Sequence, residues 1–260
     1  MRIVLNADDF GASADTLAAT IECFELDALT SATIMVAMPE TRAALDYALT
    51  RPEHGFGVHL QLVGDGIERP VSDPASVPTL VDEDGRLLPT GVVRKRAMLR
   101  RLSSAELQRE IEAQLDIAVS AGLAVTHVDS HRHLHKVAQV CEALARALPR
   151  FGLRRVRRVQ DVFLRRPLKT PTYWVGPWWQ RGLARSFATT DHFYMPSSAH
   201  DLGWAEALAH RLPALRGATL EVGVHPGAAD GWRADEGASV VAFANLAREL
   251  GHELVTWRDL

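Results

Sequence analysis

Only two cysteines occur in 260 residues, Cys23 and Cys141. Both lie in apolar helical patterns and read as reduced core thiols. That excludes a disulfide scaffold and makes the cytoplasm the expected compartment. No run of about eighteen apolar residues is available to span a bilayer. The opening MRIVLNADDFG has too short an apolar stretch for a signal peptide and reads as a buried strand. No linker rich in Gly, Ser or Pro divides the chain, so one domain over 1–260 is expected. No Gly-rich phosphate loop follows the first strand, which counts against a doubly wound dinucleotide-binding sheet. An excess of one charge is lacking too: a formal net charge of −3 gives no general reason to bind nucleic acid or an anionic membrane.

What is present is ordinary globular material, 47% hydrophobic and 23% charged, enough for a sizeable core. Short β-branched runs alternate with segments of helical period. RIVLNA leads into SADTLAATIECFELDA, SATIMVAM into PETRAALDYALTR, and GFGVHLQL into an irregular stretch. SSAELQREIEAQLDIAVSAG follows, opening with a capping-box pattern, Ser103 and Glu106. AVTHVDSH precedes KVAQVCEALARALPRFG. RRVRRVQ, ATTDHFYM and ATLEVGVH are further strand candidates, with helices near 201–213 and 238–250, and HELVTW is a candidate eighth strand. Seven or eight βα units without a break predict an α/β fold, a TIM-barrel-like (β/α)7–8 barrel. Residues 63–102 are too long for an ordinary connection and are expected to form a lid or insertion.

The placement of polar residues carries the functional signal. Asp8 and Asp9 end the first strand candidate, His59 lies in the third, Asp129 and His131 end the fourth, and His225 ends the seventh. The carboxyl ends of parallel strands build active sites, so four distant segments deliver acids and imidazoles to one mouth. Each piece alone has a plainer role: an Asx-rich turn for NADDFG, a hydrogen-bonded core histidine for His59, a proline-stopped turn at His225. The stretch HVDSHRHLH crowds His127, Asp129, His131, His133 and His135 into nine residues. His127, Asp129 and His131 share strand parity. His133 and His135 continue past the strand end, where contact with substrate or with a ligating residue is as reasonable as ligation.

NADDFG, GVHLQL, HVDSHRHLH and EVGVHPG resemble, in order, the motifs of YdjC/ChbG-like carbohydrate deacetylases, which include a branch associated with hopanoid biosynthesis. The resemblance implies a barrel related to the polysaccharide deacetylases and a metal-dependent enzyme that removes acetyl from N-acetylated sugars. By position it implies Asp9, His59 and His131 as ligands of one divalent ion, Asp8 as general base and His225 as general acid. Arg132 stands where the family usually has another histidine. The resemblance points to magnesium, whereas two imidazoles in the ligand set favour zinc on softness. Asp129 is placed to orient an imidazole ligand by accepting its other N–H.

Sugar recognition is less legible. YWVGPWW, Tyr173 to Trp179, holds three of the six tryptophans. Trp174, Trp178 and Trp179 are expected in the core or an oligomer interface, such as a homodimer, ahead of a sugar-stacking loop. In the basic run LRRVRRVQDVFLRR, Arg158 is a candidate substrate-binding residue. The expected partner is an N-acetylated sugar, with no nucleic acid and no membrane-spanning segment. A different metal-dependent amidohydrolase or phosphoesterase, or a non-catalytic sugar-binding relative, is the alternative.

Overall fold

The computed structural model describes residues 1–64, 66–168, 171–197 and 201–260. The chain order is β1 (Arg2–Phe10), α1 (Ala14–Glu25), β2 (Ser31–Ile34), α2 (Thr41–Leu49), β3 (Gly55–Leu60), α3 (Thr90–Met98), α4 (Ser104–Ser120), β4 (Val128–Ser130) and α5 (Ala138–Ala147). It continues with α6 (Pro171–Ala184), β5 (His192–Tyr194), α7 (Trp204–Ala209), β6 (Thr219–Val224), α8 (Gly231–Glu249) and β7 (Glu253–Leu254). The strands are all parallel, in the order β4-β3-β2-β1-β6-β5, with β7 paired to the start of β1. The sheet curls into a barrel whose seam, between β4 and β5, is filled by irregular backbone. The Val128 N–H donates to the Arg155 carbonyl and the Arg157 N–H to Val128, while Val156 bonds Ala188 and Val162 bonds Phe193. RRVRRVQ therefore closes the ring through isolated bridges instead of forming a regular strand.

Strand alternation sorts the side chains into two environments. Ile3, Leu5 and Ala7 of β1, Phe56 and Val58 of β3, and Leu220 and Val222 of β6 join the main apolar cluster beneath the helices. The opposite parity is polar and faces across the barrel: Asn6 and Asp8, Thr33, His59, His127 and Asp129, and Glu221 are all buried and hydrogen-bonded to one another or to Arg157. Trp257 closes the floor, its ring stacked 4.7 Å from His127.

Several expected elements take a different form. HELVTW yields a two-residue β7 that extends β1 at its base. The last helix begins at Gly231, well before the expected 238, because the glycines of PGAADGWRADEG conceal a helical start. At α4, Ser103 accepts the Glu106 N–H, but the Glu106 carboxylate turns to the N–H and hydroxyl of Thr79. Half of the capping box is thus spent on tying down the 63–102 segment. Residue 65 lies outside the described residues. The rest of that segment contains α3 and a 3-10 turn, buries Val77, Leu80 and Val93, and lends its Val71 and Ser72 N–H groups to the Glu110 carboxylate of α4.

Candidate active site

Two neighbours on a regular strand point to opposite sides, yet Asp8 and Asp9 both reach the barrel mouth. The cause is local. The β1–β2 register shifts between Ala7 and Phe10, and Asp9 adopts a left-handed backbone with φ of 57°. Aspartate is among the few side chains that tolerate this conformation. His59 projects from β3, directly opposite Asp129 of β4 in the pairing register. Gly57, two residues earlier on the same face, makes room for the floor: a Cβ there would lie 2.6 Å from the His127 carbonyl and 2.8 Å from its ring. His131 opens the turn after β4, where Arg132 and His133 are also left-handed, and His225 follows β6.

One ligand atom each from Asp9, His59 and His131 lie within 4.8 Å of one another. His131 Nδ1 is 3.1 Å and His59 Nε2 3.5 Å from Asp9 Oδ1. Donors bound at roughly 2.1 Å to one ion stand about this far apart, so the set fits a single divalent cation. Asp129 Oδ1 takes the Nδ1–H of His59 at 2.6 Å, which aims Nε2 at Asp9. Burial opposes charge on His59, but Asp129, Asp8 and Asp9 prevail and raise it to about 9. Asp8, His59 and Asp129 form a second acidic group. Its two carboxylates already share a cation, Arg157.

Arg157 is the central charge of the barrel. Fully buried, it binds Asp8 with two nitrogens at 2.5 and 2.7 Å, Asp129 at 2.5 Å and Glu221 at 2.8 Å, and its guanidinium lies 4.9 Å from the Phe193 ring centroid. Burial alone would raise the Asp8 carboxyl; Arg157, His59 and His225 outweigh it and hold Asp8 at about 2. Glu221 is different: burial dominates, Asp129 and Asp8 add to it, and the group is pushed up to about 7. His225 Nε2 is 3.9 Å from Asp8 Oδ2, and its Nδ1 is 3.1 Å from Glu236 Oε2, which also accepts the His225 backbone N–H at 2.7 Å. Burial works against protonation of His225, but Glu236, Asp9 and Asp8 raise its pKa overall. Arg233 donates to Asp9 Oδ2 at 3.0 Å, leaving Oδ1 to face the imidazoles. Asp8, Asp9, His225, Arg233 and Glu236 line a pocket of about 290 Å³ together with His133, Met195 and Trp232.

Residues 2–256 match the family model described as YdjC-like protein. The chain belongs to the YdjC-like family. A protein named carbohydrate deacetylase from Thermoanaerobacter pseudethanolicus is 27% identical over 99% of this chain and 92% of its own length. Relatives of the same name from Geobacillus stearothermophilus and Homo sapiens are 34% and 31% identical, over 65% and 80% of this chain. Those two alignments span 63% and 62% of the relatives, less than two thirds of their length. Among solved structures, a candidate cellobiose-phosphate cleavage protein from Enterococcus faecalis superposes with a TM-score of 0.78 at 21% identity, over 99% of this chain and 98% of that one. A family 4 carbohydrate esterase from Streptomyces lividans gives 0.50 at 10% identity, over 97% and 91%. These likenesses show a shared barrel fold.

In this YdjC-like chain Asp8, Asp9, His59, His131, His133 and His225 line one pocket, and Asp129 stands directly behind His59. His127 is lower in the barrel, bonded to Asn6 and held neutral by burial and then by Arg157. His135 is buried behind the turn, its Nδ1 2.9 Å from Ser130 Oγ. Arg158 does not reach the pocket: it pairs with Asp161 at 3.3 Å and lines a separate groove beside α6. Its neighbour Arg157 instead holds Asp8 and Asp129, while Arg132 and Arg233 line the pocket. Arg157, Glu221, Arg233 and Glu236 were not read from the sequence. One signal was available for the first, since Asp8 and Asp129 share the interior parity and buried carboxylates require a buried cation.

Proposed function

We propose that this chain is a divalent-metal-dependent carbohydrate N-deacetylase, hydrolysing the acetamide of an N-acetylated sugar or oligosaccharide to acetate and a free amine. The substrate is chitooligosaccharide-like or glycolipid-linked. The observation that carries this reading is the convergence of Asp9, His59 and His131 beside a held carboxylate, Asp8, and a held imidazole, His225. The name shared by the relatives supports the substrate class. Asp9, His59 and His131 would hold a divalent cation, whose Lewis acidity would act on an acetamide carbonyl and on water. Asp8, kept ionised and aimed by Arg157, accepts the proton of the attacking water. His225, kept protonated by Glu236, gives a proton to the departing amine, otherwise a poor leaving group. Asp129 fixes the ring of His59, and Arg233 fixes the carboxylate of Asp9. The 63–102 segment reaches the site loop through Arg94, which donates to the Arg132 carbonyl at 3.2 Å, and is the element proposed to select among sugars.

Acetate release from a panel of N-acetylated sugars, before and after chelation, tests the reading. Activity should vanish on chelation and return with one divalent ion; zinc and magnesium are the two to compare. Acetate release that persists in chelator overturns the metal assignment. His59→Ala should remove most of the bound metal while circular dichroism is unchanged, and stoichiometric metal with full activity in that variant would mean the ligand set is misassigned.

Glu236 raises His225, and an acid catalyst works only while protonated. Glu236→Gln should therefore move the basic limb of the kcat profile to lower pH and leave the acidic limb in place. An unmoved basic limb removes His225 as the acid.

A further inference from the structure

Residues 162–190 contain no aspartate or glutamate, but five cationic residues and three of the six tryptophans. In a chain of net charge −3 this is a strong local segregation. The middle of the stretch is α6. Its inner face is Gly176, Trp179 and Leu183, all buried. Its outer face presents Trp174, Trp178, Arg181 and Arg185 at intervals of four, three and four residues, one stripe along the helix. Trp174 is 64% and Trp178 63% exposed, and Leu168 and Val175 beside them are also exposed. The Trp174 indole N–H donates to the Leu168 carbonyl at 3.0 Å, so its polar atom is already satisfied and the ring can leave water without losing a hydrogen bond.

Troughs run along both sides of this helix, each about 560 Å³. One is lined by Trp178, Arg181, Arg185 and Lys136, the other by Trp174, Tyr173 and Phe163. The helix therefore stands as a ridge with an aromatic crest at one end and a cationic crest at the other. It is packed on the active-site turn, since Lys136 Nζ lies 5.6 Å from the Trp179 ring centroid.

We propose that α6 is a docking ridge for an anionic phospholipid surface, with Trp174 and Trp178 inserted at the headgroup level and Arg181 and Arg185 against the lipid phosphates. Tryptophan favours that interface, and each basic residue near an anionic bilayer strengthens the attraction. A second copy of the chain fits less well. A two-fold contact would bring the α6 arginines of two copies together, and the acids in the flanking troughs, Glu142 and Asp161, are already paired with Arg100 and with Arg158 and His192. A soluble oligosaccharide would account for the tryptophans but not for the exposed arginines, Leu168 and Val175. The ridge lies on the surface of a bilayer and does not cross it. It is independent of how the active site is read.

The test is flotation of the full chain with vesicles of phosphatidylcholine, with and without phosphatidylglycerol, while tryptophan emission is followed. The chain should float with the anionic vesicles at low salt, shift its emission to the blue, and be released by added salt. Arg181→Gln and Arg185→Gln should each weaken flotation about fivefold. Trp174→Ala with Trp178→Ala should abolish the blue shift and weaken flotation at least about tenfold. Because all four side chains are exposed, circular dichroism and metal content should be unchanged. No flotation at low salt, or equal flotation of the tryptophan variant, overturns the proposal. So does a dimer, in the absence of lipid, that the tryptophan substitutions convert to monomer. Shielding of Trp174 and Trp178 by a soluble chitooligosaccharide, with no vesicle binding, overturns it as well.

Discussion

Asp8→Asn is expected to retain its divalent ion and bind sugar, but to release acetate at least roughly a hundredfold more slowly. Asparagine keeps the shape of the side chain and an oxygen for Arg157, but cannot take a proton from water. The fold should tolerate the change, because Arg157 keeps Asp129 and Glu221 as partners. Asp9 is the better ligand candidate of the two aspartates on geometry. Both Asp8 oxygens are engaged by Arg157, whereas Asp9 Oδ1 faces two imidazoles. Metal content and acetate release, measured on the same preparation, separate the roles. A metal-free Asp8→Asn protein would exchange the two aspartates, and near-normal turnover would end the proposed mechanism.

The second large effect is one of stability. Arg157→Leu would leave Asp8, Asp129 and Glu221 buried without their common cation. Breaking a buried ion network from one side costs about 3–5 kcal/mol. In a chain of this size that is a fall in melting temperature of roughly 10 °C. Arg157→Lys should recover only part of it, since one ammonium cannot span three carboxylates in the way a planar fork does. The sign of the pH dependence follows from Asp8. Its folded pKa of about 2 lies below the ordinary 3.8, so its pairing stabilises fully above about pH 4 and is lost as pH falls towards 2. The gap between Arg157→Leu and the unmodified protein should therefore narrow in acid. Thermal melts from pH 7 to 3 would show it, and equal melting at pH 7 would mean that the carboxylates are protonated in the native state.

The barrel was legible because alternation of apolar runs and helical segments survives single-sequence reading. The convergence of Asp8, Asp9, His59, His131 and His225 was legible because strand ends in such a fold share one mouth. The condition that two adjacent aspartates meet only where a strand begins to turn is satisfied by the left-handed Asp9. What escaped did so for local reasons. In RRVRRV nothing distinguishes Arg157 from Arg158; the distinction is made by the backbone bonds to β4 and to Ala188, both distant in sequence. Glu221 sits in an ordinary strand pattern, and its importance comes from Arg157. Arg233 and Glu236 lie in the first turns of α8, which glycines on both sides make resemble a loop. YWVGPWW, with glycine and proline at its centre, was expected to be core, interface or a loop and is instead a helix, with Trp179 buried and Trp174 and Trp178 outside.

The strand that carries Asp8 and Asp9 has neighbours made at very different times. β2 follows it closely, but its other edge is completed by β6, about two hundred residues later in synthesis. On the ribosome, β1 through β4 can associate early, while β1 still exposes an apolar edge able to template pairing with another nascent chain. Closing so long a loop makes the β1–β6 pairing a late, non-local event. Synthesis of β6, rather than growth of the early half, is then the step that completes the strand carrying the two aspartates.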